Sequence, residues 1–161
     1  MGSKTRKILA WCALALIMAT VFALSGQNAS QSNETSDGFL TRVLRVVIDN
    51  FDGLTEDEKW ELLDRYSFIV RKAAHFSVYM LMGVAAATAM TCYDVTLLTA
   101  GSAAFIICGL YSVTDEVHQY FVPGRSCEAR DVLIDSAGAL VGIVILLLFV
   151  CRRQRNTKTN S

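Results

Sequence analysis

The chain has 161 residues, 53% of them hydrophobic and 19% charged, and its 15 basic and 15 acidic side chains leave no net charge. A positive mean hydropathy at this charge content excludes an ordinary soluble domain, and the lack of a net basic charge speaks against a nucleic-acid partner. Five cysteines without a CxxC pair offer neither a cysteine zinc site nor a redox dithiol.

The hydrophobicity gathers in four windows, 8–25, 73–91, 95–113 and 132–151, each near the roughly 20 residues that carry a helix across a bilayer core. The predicted fold is an all-α integral membrane protein with four transmembrane helices and an external helical segment between spans one and two. The single proline, Pro123, lies outside every window, so none is interrupted. Residues 1–25 are a basic tail, with Lys4, Arg6 and Lys7, followed by the first span. A secretory signal peptide has the same order, but this apolar run exceeds the roughly 7 to 15 residues usual for one, and a retained span is expected.

Residues 26–72 are expected to be external. Their first part, SGQNASQSNETSDG at 25–38, is rich in small and amide side chains that favour turns over packed helix. Beyond it, Leu40, Val43, Leu44, Val47, Ile48 and Phe51 recur at helical spacing and make one apolar stripe. Such a stripe packs against the external face of the bundle or lies on the outer leaflet, and the lack of a tryptophan in it favours packing. Thr55 and Glu58 then have capping-box spacing, and Glu56, Asp57 and Glu58 suit a helix N-terminus. With Trp60, Leu63, Tyr66 and Val70 continuing the helical spacing, this helix is expected to run on into the second span.

Residues 73–151 form a core of three spans, with 92–94 leaving room only for a tight inner turn. Residues 152–161 are a second basic tail, carrying Arg152, Arg153, Arg155 and Lys158 and no acid. By the positive-inside rule both termini lie in the cytoplasm. The connection TDEVHQYFVPGRSCEARD, residues 114–131, then faces outward.

Helical arithmetic gathers the polar residues at that outer end. Arg71, His75 and Tyr79 share a face of span two. One further turn of span three would put Asp115, His118 and Gln119 on one face, with Glu116 pointing elsewhere; Arg125 and Arg130 follow, and Asp131 and Asp135 share a face of span four. An ionised carboxylate as deep as Asp135 costs about 3 kcal/mol by insertion scales and normally turns inward to a partner, here His75 or Arg125. Gly138 and Gly142 continue its face as a GxxxG step that admits a close helix neighbour, within the chain or in an oligomer.

Three chemistries suit this set. His75, His118 and Asp115 or Asp131 could hold a divalent ion with Glu116 as base, but the spacing matches no compact metal motif, and neither a metal nor another cofactor is expected. General acid–base work by the carboxylates and histidines is the second. The third is a structural network of mutually neutralising groups at the interface.

The runs RKAAHFSVYMLMG from Arg71, SVTDEVHQYFVPGRSCEARDVLIDSAGALVG from Ser112 and SGQNASQS from Ser25 resemble the three signature blocks of the VanZ-like membrane proteins. The family's namesake is associated with resistance to the glycopeptide antibiotic teicoplanin, so the resemblance implies a bacterial plasma-membrane protein that lowers susceptibility to such antibiotics. It transfers no established catalytic residue. His75, Asp115, Glu116, His118, Gln119, Arg125 and Asp131 match the family pattern by position, whereas Asp135 stands where that pattern usually reads Asn. The expected partners are membrane lipids and a glycopeptide or lipid-linked wall precursor. In that reading the helix around Leu40 to Phe51 meets an acyl chain, and Arg125 and Arg130 meet an anionic headgroup. A membrane-embedded enzyme acting on a lipid-linked substrate and a scaffold for partner proteins are the alternatives.

Overall fold

The apolar windows become four long helices in the computed structural model, which describes residues 2–125 and 127–159. The elements are α1 (Ser3–Ser25), α2 (Ala29–Val47), a short 3-10 turn (Phe51–Gly53), α3 (Glu56–Met90), α4 (Leu97–Tyr120) and α5 (Ala129–Thr159). No strand occurs among the described residues. Helices α1, α3, α4 and α5 are long and apolar enough to cross a membrane. Their outer faces carry Leu16, Leu98, Ile106, Leu110, Leu133 and Leu148, each more than half exposed; such a continuous apolar surface belongs in lipid.

Packing inside the bundle relies on small side chains. Ala86, Ala87, Ala104 and Ala139 are completely buried, and the backbones of α3 and α5 approach so closely that a Cβ at Gly83, Gly138 or Gly142 would overlap the carbonyl of Ala139, Phe76 or Met80 respectively. With no hydrophobic gain available between helices in lipid, this intimate van der Waals contact is what holds them together. The GxxxG step is thus used within the chain. A second copy docking through Gly138 and Gly142 would have to displace α3.

Both basic tails lie at one end of the bundle. Arg6 of α1, Thr91 at the end of α3 and Arg153 of α5 line a common hollow. Trp11 Nε1 donates to Tyr93 Oη at 3.0 Å, and Lys7 Nζ sits 4.4 Å above the Tyr93 ring, as amphipathic aromatic rings do at a membrane interface.

At the opposite end α3 projects beyond the bundle. Its 35 residues span about 52 Å at 1.5 Å each, against a hydrocarbon core of about 30 Å. The helix starts at the expected place. Thr55 Oγ1 accepts from the Glu58 amide and Glu58 Oε2 accepts from the Thr55 amide at 2.8 Å, a complete capping box, and no break separates it from the second span.

Helix α2 lies along this projecting half. Leu40, Leu44 and Phe51 are buried with Leu62, Leu63 and Val70, and Ser67 donates to Asp37. Two expectations need correcting here. The polar run at 25–38 is helical from Ala29 onward rather than turn-forming, because Ser32 and Ser36 are buried in the contact and tertiary packing outweighs their weak intrinsic preference for turns. The stripe from Leu40 to Phe51 is split: Leu40, Leu44 and Phe51 are committed to α3 and unable to meet an acyl chain, while Val43 and Val47 are exposed. The exposed apolar face of α2 is instead Phe39, Val43, Val46 and Val47. The helix itself stops at Val47, and Asn50, one of the few residue types that tolerates the left-handed region, takes φ 60° to enter the 3-10 turn.

Candidate functional site

Three helices bring one side chain each to the centre of the polar end. His75 comes from α3, Asp115 from α4 and Asp135 from α5, and one potential ligand atom from each lies within 4.8 Å of the others. His75 Nδ1 is 3.5 Å from Asp135 Oδ1. Both carboxylates are effectively removed from solvent, at 2% and 0% exposure. Each uses one oxygen for a hydrogen bond: Ser112 Oγ donates to Asp135 Oδ2 at 3.1 Å, and Gln119 Nε2 donates to Asp115 Oδ2 at 3.2 Å. The remaining oxygens, Asp115 Oδ1 and Asp135 Oδ1, are buried without a hydrogen-bond partner, as is the Tyr79 hydroxyl one turn along α3 from His75.

Arg125, in the connection after α4, is tied in from above. Its Nη1 donates to Gln119 Oε1 at 3.1 Å, and its Nε to the Gln27 carbonyl at 3.4 Å. Partial burial pulls the guanidinium below its usual pKa, and the like charge of Arg71 adds to this, against the opposing pull of Asp115, Glu116 and Asp131. Arg125 therefore fixes Gln119, and Gln119 fixes Asp115.

The other predicted residues separate into neighbouring groups. Glu116 does point away from Asp115, yet not to solvent: it is 1% exposed, and its Oε2 accepts from the Glu128 amide at 3.0 Å where α5 is about to begin. Asp131 forms an ion pair with Lys72. His118 faces α1, its ring stacked on Phe22 with centroids 4.3 Å apart. Arg130 turns outward to Glu128 at 3.1 Å and lies 5.2 Å over the Phe68 ring, away from the triad.

Sequence reasoning missed Ser112 and Lys72 as members of the set. Ser112 stands one turn before Asp115, a lone hydroxyl at the end of an apolar run, and that i, i+3 spacing was a usable signal. Lys72 has no such signal, because only the approach of α3 to α5 makes it the partner of Asp131.

Beside the triad a cavity of about 150 Å³ opens between α1, α2 and α3. Its lining includes the apolar Val21, Leu24, Ala74 and Val78 together with Ser25, Arg71, His75 and Arg125. His75 thus belongs to both the cavity wall and the buried triad.

A family model described as VanZ/LLP1 matches residues 10–150. The chain belongs to the VanZ-like family. No curated protein and no solved structure matches it. The VanZ-like blocks acquire a physical meaning in this fold: the block from Arg71 supplies His75, the block from Ser112 supplies the two carboxylates with their hydrogen-bond donors, and Ser25 and Gln27 of the remaining block meet the cavity and Arg125.

Proposed function

We propose that this VanZ-like protein resides in the bacterial plasma membrane with both termini in the cytoplasm, presents its polar end outside, and there binds an anionic amphipathic ligand. The ligand class is a lipid-bearing glycopeptide of the teicoplanin type or a lipid-linked wall precursor, and binding lowers susceptibility to the antibiotic. One observation carries this reading: the cavity whose lining combines Arg71 and Arg125 with the apolar Val21 and Leu24. At about 150 Å³ it accommodates a carboxylate or phosphate and its immediate neighbours. An acyl chain would run along lipid beside α1 or across the exposed Phe39, Val43, Val46 and Val47 of α2. Guanidinium groups match carboxylate and phosphate oxygens in pairs, and their partial burial strengthens the attraction.

The test is teicoplanin and vancomycin susceptibility of a sensitive bacterium expressing wild type or Arg125→Ala, with membrane abundance of both measured. Wild type raises tolerance to teicoplanin and the variant loses that gain at equal abundance. An unchanged susceptibility with wild type removes the resistance reading.

A second reading, an enzyme acting on a lipid-linked substrate, is favoured by Glu116, whose Oε1 is buried without a partner beside the connection to α5. Loss of function in a well-folded Glu116→Gln variant would select it over binding, because the amide keeps the side chain's shape while removing its capacity to take a proton.

A further inference from the structure

We infer that His75, Asp115 and Asp135 form a binding site for one divalent cation of the zinc class. The two carboxylates come from different helices, and each is oriented by a hydrogen bond to its Oδ2, from Gln119 or Ser112. That leaves Asp115 Oδ1 and Asp135 Oδ1 buried without a hydrogen bond, the latter facing His75 Nδ1 at 3.5 Å, in the group whose ligand atoms, together with one from His75, lie within 4.8 Å of one another. Hydrogen bonds that fix the non-coordinating atom of a ligand, so that the other is aimed at the ion, are the usual support of a metal site. Here they reach a further layer, because Arg125 holds Gln119.

Charge points the same way. Two carboxylates buried this close together need two compensating charges if both are ionised; an imidazole supplies one, only when protonated, and Arg125 reaches Asp115 only through Gln119. A divalent cation supplies both and lets His75 remain neutral, the form in which it ligates. One nitrogen and two carboxylate oxygens are donors that zinc accepts, and three is the number of protein ligands in an open zinc site. The fourth position would face the cavity, since His75 lines it, or be taken by the unpartnered Tyr79 hydroxyl.

This inference stands independently of any antibiotic ligand, because the ion would bind the protein alone. The experiment uses the full chain in detergent, stripped with a chelator and carrying Cys12→Ser and Cys127→Ser, since those exposed thiols would bind zinc on their own account. Zinc per chain is measured after dialysis, for this protein and for the same chain with Asp135→Asn or His75→Gln. The expected result is about one zinc per chain, with affinity lowered at least about tenfold in each ligand variant, while helicity and monodispersity are unchanged. No retained zinc, or equal retention in both ligand variants, overturns the site; in the first case the triad is held by shared protons.

Should a variant fail to fold, the ligand environment of zinc in the unsubstituted triad decides. X-ray absorption showing only nitrogen and oxygen ligands at about 2.0–2.2 Å supports the site, and sulfur ligands at about 2.3 Å overturn it.

Discussion

A side chain at Gly142 would occupy the space of the Met80 carbonyl oxygen on α3. The backbone cannot yield there without separating α3 from α5, so Gly142→Leu should destabilise the protein by about 3 kcal/mol, the upper range for overpacking a close interior. Gly109 on α4 provides the matched control, because a Cβ there meets nothing within 4 Å; Gly109→Leu should leave stability almost unchanged. Reversible unfolding of both variants in mixed detergent micelles checks the difference, and equal stabilities would refute the close approach. Residue-scale legibility was uneven for a related reason. The partner of Asp135 could be narrowed from sequence to His75 or Arg125 because helix ends at equal depth limit the choices, but the rotation of α4 that turns Glu116 toward the Glu128 amide and His118 onto Phe22 is set by packing and left no periodic trace.

At the scale of elements, the capping box of α3 is the clearest local instruction in the chain. Replacing Thr55 by Ala removes the acceptor of the Glu58 amide and costs about 1 kcal/mol. The loss belongs to the first turn alone, since the spanning half of α3 is held by α5. Hydrogen exchange of the amides at 56–59 should therefore accelerate about fivefold, the equivalent of that free energy, with exchange at 76–90 unchanged. Uniform acceleration along α3 would mean that the projecting half and the span unfold as one unit. This start was readable because a cap is a contact between residues three apart. The start of α2 was not: Ser32 and Ser36 favour turns in isolation, and only the neighbouring α3, reached through Asp37 and Ser67, makes their burial in a helix favourable.

For the whole molecule, the four spans were readable because each is a sum over about twenty side chains, in which one misjudged residue changes little. Their arrangement places Arg6 of α1 near Arg153 of α5 at one end and the exposed Cys127, just before α5, at the other. The proposed orientation, with the polar end outside, rests on the basic tails, since lysine and arginine near span ends are retained on the cytoplasmic side. A chain with Cys127 as its sole cysteine should react with a membrane-impermeant maleimide in intact cells. A chain whose sole cysteine is introduced by Asn156→Cys should react only after permeabilisation. The reverse pattern would put the arginine-lined cavity in the cytoplasm, out of reach of any ligand confined to the outer surface. Labelling of both in intact cells would mean that α5 does not cross, which its close packing along α3, with Gly138 against Phe76 and Gly142 against Met80, does not permit.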